Sequence, residues 1–240
     1  MPRFFKHDFA KDLTIEGSDA QHIIRSLRMK PGENLVVNDT QGTDYFCEIE
    51  TVHPDRVGLK VLKSVKNDTE PSIKVTLFQC LPKGDKMDLI VRQAVEMGVF
   101  EIVPVLSERC VSRPDQKSLA KKVQRWQKIA NEAAGQSGRG VRPQIYNLIS
   151  INECIDKLAT FDSTLFFYEN GQTPINSLNL SHCKKVAVII GCEGGFSIAE
   201  AEAFVAAAAS AVTLGKRILR CETAPVAAMA ALMLSTGNMD

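Results

Sequence analysis

The stretch Val188-Ile-Ile-Gly-Cys-Glu-Gly-Gly-Phe-Ser197 joins an apolar run to a glycine-rich turn and a helix-capping residue. Ser197 and Glu200 are three residues apart, the spacing of a capping box at the start of a helix. The order therefore predicts a buried strand, a loop and a helix. Loops at the carboxyl ends of strands hold ligands in open α/β sheets, and glycine lets the backbone approach a ligand closely. The alternative is a tight strand–helix turn without a ligand.

A second loop of the same kind follows the next predicted strand and reads Leu214-Gly-Lys-Arg-Ile-Leu-Arg-Cys-Glu-Thr-Ala224. Two such loops at neighbouring strand ends would form one pocket. The first loop lacks both the dinucleotide fingerprint and the P-loop pattern, so the sequence does not predict those two nucleotide sites.

Outward from these loops, strand and helix patterns alternate, which predicts an α/β domain with a mostly parallel sheet. The predicted strands are 73–81, 100–105, 164–168, 185–190 and 211–214, and the predicted helices are 85–97, 118–134, 197–209 and 223–235.

The first seventy residues follow a different pattern, which predicts a small β-barrel. A capping box at Ser18 and Gln21 opens a short helix, and strand-like runs follow at 34–38, 45–52 and 57–65. The polar, proline-containing segment 66–72 is the predicted linker. The predicted domains are therefore residues 1–70 and 71–240.

Composition excludes several protein classes. The chain has 240 residues, 45% of them hydrophobic, and a net charge of +1, which excludes a disordered or highly charged protein. Its longest apolar runs are near ten residues, whereas a membrane span needs about 18. The first eight residues lack the apolar core of a signal peptide, so we expect a cytoplasmic protein. Seven widely spaced cysteines predict reduced, buried thiols, with no disulfide framework and no metal site.

Local charge is more informative than the total. Residues 109–142 hold nine Lys/Arg and two Asp/Glu, whereas residues 143–213 hold three Lys/Arg and seven Asp/Glu. One region is thus basic in a nearly neutral chain, a pattern that suits a polyanionic partner.

Several motifs together resemble the RsmE family, bacterial 16S rRNA uridine-N3 methyltransferases of the SPOUT superfamily. The resemblance covers nearly the whole chain in order. It is carried by both glycine loops and by residues 22–29, 83–87, 107–110, 125–130 and 136–139. The chain departs from the family at Cys192, where Pro is usual, and at Cys221, where Thr is usual.

The resemblance implies a fold, a cofactor and partners. The first domain is expected to be a PUA-like RNA-binding β-barrel, and the second a SPOUT domain with a C-terminal trefoil knot. S-adenosylmethionine is the implied cofactor, 16S rRNA within the small ribosomal subunit the implied substrate, and a homodimer the implied assembly. The cofactor-binding candidates are Phe167, Tyr168, Glu169, Ile190, Gly191, Glu193, Gly194, Gly195, Leu214, Gly215, Ile218 and Leu219.

Methylation at uracil N3 requires loss of the N3 proton, and a cation beside the uracil carbonyls favours the anion that results. Arg220 is the first catalytic candidate, followed by Arg217 and Glu222, and no residue is assigned as the general base. Glu193 or Glu169 would stabilise the cationic sulfonium; the alternative is that they are only helix-terminal carboxylates.

A set of basic residues spread over both domains is expected to meet RNA phosphates, although each alone suits a solvated surface equally well. These residues are Arg3, His22, Arg25, Arg28, Lys83, Lys86, Arg109, Arg113 and Arg139. The expected function is N3 methylation of a 16S rRNA uridine. The alternatives are a SPOUT methyltransferase acting on another RNA position or on tRNA, and an inactive RNA-binding protein of the same fold.

Overall fold

The computed structural model describes residues 1–239, which form two compact units. The first comprises residues 1–70 together with 134–142, and the second comprises residues 71–133 together with 143–239. The short segment 134–142, which the sequence analysis assigned to the second domain, thus groups with the first.

The first unit is built on a five-stranded sheet with the order β1-β3-β4-β5-β2. β1 pairs parallel to β3, and the other neighbours are antiparallel. The strands are β1 (Arg3–Phe5), β2 (Thr14–Glu16), β3 (Asn34–Asn38), β4 (Thr43–His53) and β5 (Arg56–Lys66). The three predicted strands are confirmed as β3 to β5. The sequence analysis missed β1 and β2, which are only three residues long.

One helix lies between β2 and β3. α1 (Gly17–Gln21) continues as a π-helical turn through Ser26. The predicted Ser18–Gln21 capping box is wrong, because the N-cap is Glu16 and no side chain caps the helix. The core of this unit includes Phe9, Ile23 and Leu35, which are fully buried.

The second unit is built on an eight-stranded sheet whose pairings are all parallel. Its order is β11-β13-β10-β12-β6-β7-β8, with β9 also beside β7. The strands are β6 (Lys74–Cys80), β7 (Glu101–Leu106), β8 (Gln144–Ile145), β9 (Ile149–Ser150), β10 (Ser163–Phe167), β11 (Thr173–Pro174), β12 (Lys185–Ile190) and β13 (Ser210–Thr213). The predicted α/β class and parallel sheet are confirmed.

Five helices accompany this sheet along the chain. They are α2 (Lys86–Glu96), α3 (Gln116–Gln136), α4 (Ile151–Leu158), α5 (Ile198–Ala206) and α6 (Ala224–Ser235). The sequence analysis predicted all of these except α4. Trp126 on α3 is 2% exposed, so its predicted core position is confirmed.

The register of the sheet places three loops at one edge. Phe167 at the end of β10 pairs with Ile190 at the end of β12 and with Val212 on β13. The segments that follow these strands therefore leave the sheet side by side, and two of them are the glycine loops.

Among residues 1–239, no helix is long and apolar enough to cross a membrane. Within the same range, no group of three or more His, Cys, Asp or Glu side chains is arranged to hold a metal ion. All seven cysteines are buried and free, as the sequence predicted.

Candidate functional site

A cavity of about 820 Å³ lies at the carboxyl ends of β10, β12 and β13. Its wall is formed by residues 167–169, 190–196 and 212–221, together with Lys86, Gly171 and Ala224. The structure brings all twelve cofactor-binding candidates into this wall. The volume lies within the range of about 300–1,000 Å³ that is typical of small-molecule sites.

The first glycine loop is folded back on itself. The N–H of Gly195 donates to the carbonyl oxygen of Cys192 at 3.0 Å, and Gly195 has a left-handed φ of 63°. A Cβ at Gly191 would lie 3.0 Å from the ring of Phe196. Glycine is therefore required at 195 by its backbone conformation and at 191 by a close neighbour.

The start of α5 holds the end of this loop in place. The N–H of Glu200 donates to Ser197 Oγ at 3.4 Å, and the N–H of Ser197 donates to Glu200 Oε2 at 2.9 Å. This confirms the predicted capping box. The other oxygen of Glu200, Oε1, accepts from the N–H of Glu108 at 2.7 Å, which attaches the loop after β7 to the same helix terminus.

An aromatic cluster packs against residues of the cavity wall. The rings of Phe166 and Tyr168 stack with centroids 5.4 Å apart, and Phe196 meets Phe166 edge-to-face at 4.9 Å. Phe204 on α5 packs against both Phe166 and Phe196. These contacts fix Tyr168 and Phe196, which both line the cavity.

A lysine of the cavity wall lies between two carboxylates, of which Glu193 lines the cavity and Glu222 does not. Lys86 Nζ lies 3.0 Å from Glu193 Oε1 and 3.2 Å from Glu222 Oε2. Hydrogen bonds to Glu193 and then Glu222 raise the pKa of Lys86. Burial acts to raise the pKa of Glu193, but hydrogen bonds from its own N–H, from Lys86 and from the Lys83 N–H together lower it. All three groups are therefore charged at neutral pH.

Two of the three catalytic candidates line this same cavity. Arg217 and Arg220 are exposed members of its wall, whereas Glu222 does not line the cavity but binds Lys86, which does. The pKa of Glu222 is lowered, first by its own backbone N–H and then by Cys221 and Lys86, which outweigh burial. Its carboxylate is therefore a weak acceptor for the N3 proton of uracil.

Glu169 and Glu193 are both exposed residues, although only 26% of the Glu193 side chain is exposed. Glu169 lies against the glycine loop, because a Cβ at Gly195 would be 3.4 Å from Glu169 Oε2. Of the two carboxylates considered for the sulfonium, Glu193 is engaged by Lys86 and the Lys83 N–H, whereas Glu169 faces Gly195.

The composition of the wall fits S-adenosylmethionine. Ile190, Val212 and Leu219 supply apolar surface for an adenine, and the bare backbone of the glycine loop supplies hydrogen-bonding groups. Sequence analysis missed Gly171, whose Cβ would lie 2.7 Å from the Val212 carbonyl oxygen. It also missed Val212 and Thr213 at the end of β13. Within the two loops that it had singled out, it missed the wall residues Cys192, Phe196, Lys216, Cys221 and Ala224.

The residues predicted to meet RNA fall into two groups. His22, Arg25, Arg28 and Lys83 are exposed. Two further exposed candidates also donate to backbone oxygens: Arg109 to Gly194 at 3.0 Å, and Arg113 to Glu108 at 2.9 Å.

Three other RNA candidates are held by carboxylates, and we leave them out of the proposed RNA contacts. Arg3 pairs with Asp44 at 2.5 Å, with 12% of its side chain exposed. Arg139 is 3% exposed and makes two hydrogen bonds to Glu70, at 2.8 and 2.7 Å. Lys86 is occupied by the carboxylates of Glu193 and Glu222.

Comparison with known proteins finds two family matches along the chain. An RNA methyltransferase domain family matches residues 69–233, and an RNA methyltransferase PUA domain family matches residues 15–62. The first match alone spans more than half of the chain.

Individual relatives resemble the chain over nearly its whole length. Ribosomal RNA small subunit methyltransferase E of Bacillus subtilis is 32% identical over 234 residues, covering 95% of this chain and 91% of that protein. The crystal structure of the Neisseria gonorrhoeae protein of that name, bound to S-adenosyl methionine, has a TM-score of 0.88 and 33% identity, covering 98% of both chains.

Both the identity and the coverage are sufficient to show the family, and the fold agrees with it. The chain belongs to the ribosomal RNA small subunit methyltransferase E family, which is the family that its glycine loops resemble.

Proposed function

We propose that this protein transfers a methyl group from S-adenosylmethionine to N3 of a uridine in 16S rRNA. The observation that carries the proposal is the 820 Å³ cavity whose wall contains both glycine loops, in a chain of this family. The Neisseria gonorrhoeae relative, whose structure holds S-adenosyl methionine, supports the choice of cofactor.

Ile190, Leu214 and Leu219 would pack on the adenine, and the Gly191–Gly195 backbone would bind its polar atoms. When bound, S-adenosylmethionine supplies an electrophilic methyl group on a positively charged sulfur. Glu169 is the carboxylate best suited to that charge, since Glu193 already binds Lys86 and the Lys83 N–H.

Arg220, with Arg217 beside it in the sequence, is the proposed electrophilic group for the uracil. A guanidinium at a uracil carbonyl lowers the pKa of N3–H, because it stabilises the anion. Glu222 is assigned to holding Lys86 rather than to accepting the N3 proton, since its pKa is lowered.

RNA contact is assigned to exposed basic residues of both units: His22, Arg25, Arg28, Lys83, Arg109 and Arg113. Phosphate contacts of this kind position a nucleic acid, while base contacts specify it. Choice of the uridine is therefore assigned to the cavity and not to these residues.

The same proposal includes the oligomeric state of the protein and the knot in its chain. The family resemblance supports a homodimer, a trefoil knot in the C-terminal part and action on the small ribosomal subunit in the cytoplasm. α6 suits a dimer interface because its core-facing side holds Met229 and Met233, while Leu234 is 61% exposed. Light scattering that gives twice the chain mass tests the dimer.

The experiment that tests this function is transfer of labelled methyl from S-adenosylmethionine to purified RNA. We expect label in 16S rRNA, as naked RNA or as assembled subunit, and none in tRNA. Label in tRNA alone would favour the alternative substrate. Cofactor and rRNA binding without any transfer would favour an inactive RNA-binding protein.

A further inference from the structure

Lys86 connects three segments that are far apart in the sequence. It is the first residue of α2, whereas Glu193 lies in the glycine loop after β12 and Glu222 lies in the turn before α6. Its ammonium contacts both carboxylates, at 3.0 and 3.2 Å, and lies 3.8 Å from Cys221 Sγ. We call these three charged residues the lysine bridge.

The bridge has a second attachment on the α2 side. The N–H of Lys83 donates to Glu193 Oε1 at 3.1 Å and to Oε2 at 3.3 Å. The glycine loop is thus held at the start of α2 by a backbone group and a side chain. The turn before α6 is held by Lys86 on one side, and its Cys221 thiol donates to Glu222 Oε2 at 3.2 Å.

Without Lys86, the bridge would hold two negative carboxylates and no positive charge. Glu193 and Glu222 both lie within hydrogen-bonding distance of one nitrogen, so their carboxylates are neighbours. Without the ammonium the two negative charges would repel each other and push the two loops apart. Besides Lys86 and Glu193, the charged or titratable residues of the cavity wall are Tyr168, Glu169, Cys192, Lys216, Arg217, Arg220 and Cys221.

We propose that Lys86 is a positioning residue, which holds the glycine loop against the turn before α6 and so sets the width of the cofactor cavity. The inference rests on the proposed function, because its readout is the affinity for S-adenosylmethionine. It assigns the family-motif lysine to the cofactor cavity rather than to RNA phosphate.

The test is calorimetric titration of S-adenosylmethionine into the full-length Lys86→Met protein at two pH values. Two charge-assisted hydrogen bonds are lost at a partly exposed site, so we expect affinity near pH 7.5 to fall by roughly tenfold. Near pH 5.5 we expect part of that loss to recover, because a carboxylate pair without a cation takes up a proton more readily. The variant's affinity is divided by the wild-type affinity at each pH, so that the titration of groups present in both proteins, such as Cys192, cancels.

Three matched variants accompany this measurement. Lys86→Arg keeps the cation and should restore most of the affinity. Lys121→Met removes an exposed lysine of α3 and should leave the affinity unchanged. Glu222→Gln weakens one arm with an isosteric amide, and a loss of about threefold is expected. It serves as the test if Lys86→Met does not fold.

The outcomes separate the two proposals. A wild-type protein that does not bind S-adenosylmethionine would overturn the proposed function. A wild type that binds, with a folded Lys86→Met protein of equal affinity, would overturn the positioning role alone. An equal loss at both pH values would also overturn it, since lost packing without carboxylate repulsion gives no recovery on acidification.

Discussion

The guanidinium of Arg109 donates a hydrogen bond from Nη1 to the carbonyl oxygen of Gly194 at 3.0 Å. The two residues are also in close contact, since a Cβ on Gly194 would lie 3.0 Å from Arg109 Cβ. A residue predicted to bind RNA thus supports a loop predicted to bind the cofactor. An RNA phosphate bound at Arg109 would therefore act on the glycine loop that lines the cofactor cavity.

We therefore expect Arg109→Ala to weaken the binding of both S-adenosylmethionine and RNA. Loss of one exposed hydrogen bond to the loop costs about 1 kcal/mol, which corresponds to roughly fivefold in S-adenosylmethionine affinity. Arg113→Ala is the control, because Arg113 binds the Ser107 and Glu108 carbonyls and does not line the cavity. Calorimetry that finds the same cofactor affinity in both variants would argue against this coupling.

Gly195→Val is expected to abolish tight cofactor binding. A left-handed conformation costs a side-chain-bearing residue roughly 1–2 kcal/mol, and here the side chain also meets the Glu169 carboxylate. Gly17→Val is a matched control, since Gly17 has a φ of 65° and no atom within 4 Å of an added Cβ. Both variants should lose similar stability in thermal unfolding, but only Gly195→Val should lose cofactor affinity. A folded Gly195→Val protein with wild-type affinity would remove the glycine loop from the site.

The two cysteines of the cavity wall are expected to react differently with iodoacetamide. A hydrogen bond from Cys110 lowers the pKa of Cys192, whereas burial and Glu222 raise the pKa of Cys221 to about 12. Both are 6% exposed, so the thiolate fraction decides the order. Near pH 7.5, peptide mass spectrometry should find Cys192 labelled first, and S-adenosylmethionine should slow that labelling. If S-adenosylmethionine did not slow the labelling of Cys192, the assignment of this cavity to the cofactor would be contradicted.

Replacing Arg25 and Arg28 together by alanine is expected to weaken rRNA binding and to flatten its salt dependence. Each lost phosphate contact reduces the log–log slope by roughly 0.7–0.9. Lys157→Ala with Lys184→Ala removes the same charge from two exposed positions outside the proposed contacts. Filter binding over a salt series should distinguish the two pairs. A wild-type slope for Arg25→Ala/Arg28→Ala would contradict the assignment of RNA contact to the first unit. Cofactor affinity should be unchanged in both pairs.

The sequence was sufficient to predict elements whose signals are local. β12 has the predicted bounds, and the Ser197–Glu200 capping box forms as expected. α4 was missed although its capping box at Ser150 and Glu153 is equally local. All twelve cofactor candidates line the cavity because they lie at the carboxyl ends of β10, β12 and β13, three parallel strands with β10 in the middle.

The errors among the predicted RNA contacts arise where the carboxylate that binds a basic residue is distant from it in the sequence. Nothing near Lys86 indicates Glu193 or Glu222, and nothing near Arg139 indicates Glu70. A lone basic residue therefore looks the same in the sequence whether it faces a phosphate or a carboxylate of the protein itself. Only the packing of the folded chain distinguishes the two cases.

The most direct test of the central claim is nucleoside mass spectrometry of 16S rRNA after incubation with the protein and S-adenosylmethionine. Digestion to nucleosides identifies which base, and which nitrogen of it, receives the methyl group. We predict 3-methyluridine, present only when both protein and cofactor are added and strongly reduced with Arg220→Ala. Methylation of a different nucleoside, or none in either naked rRNA or assembled subunits, would contradict the account.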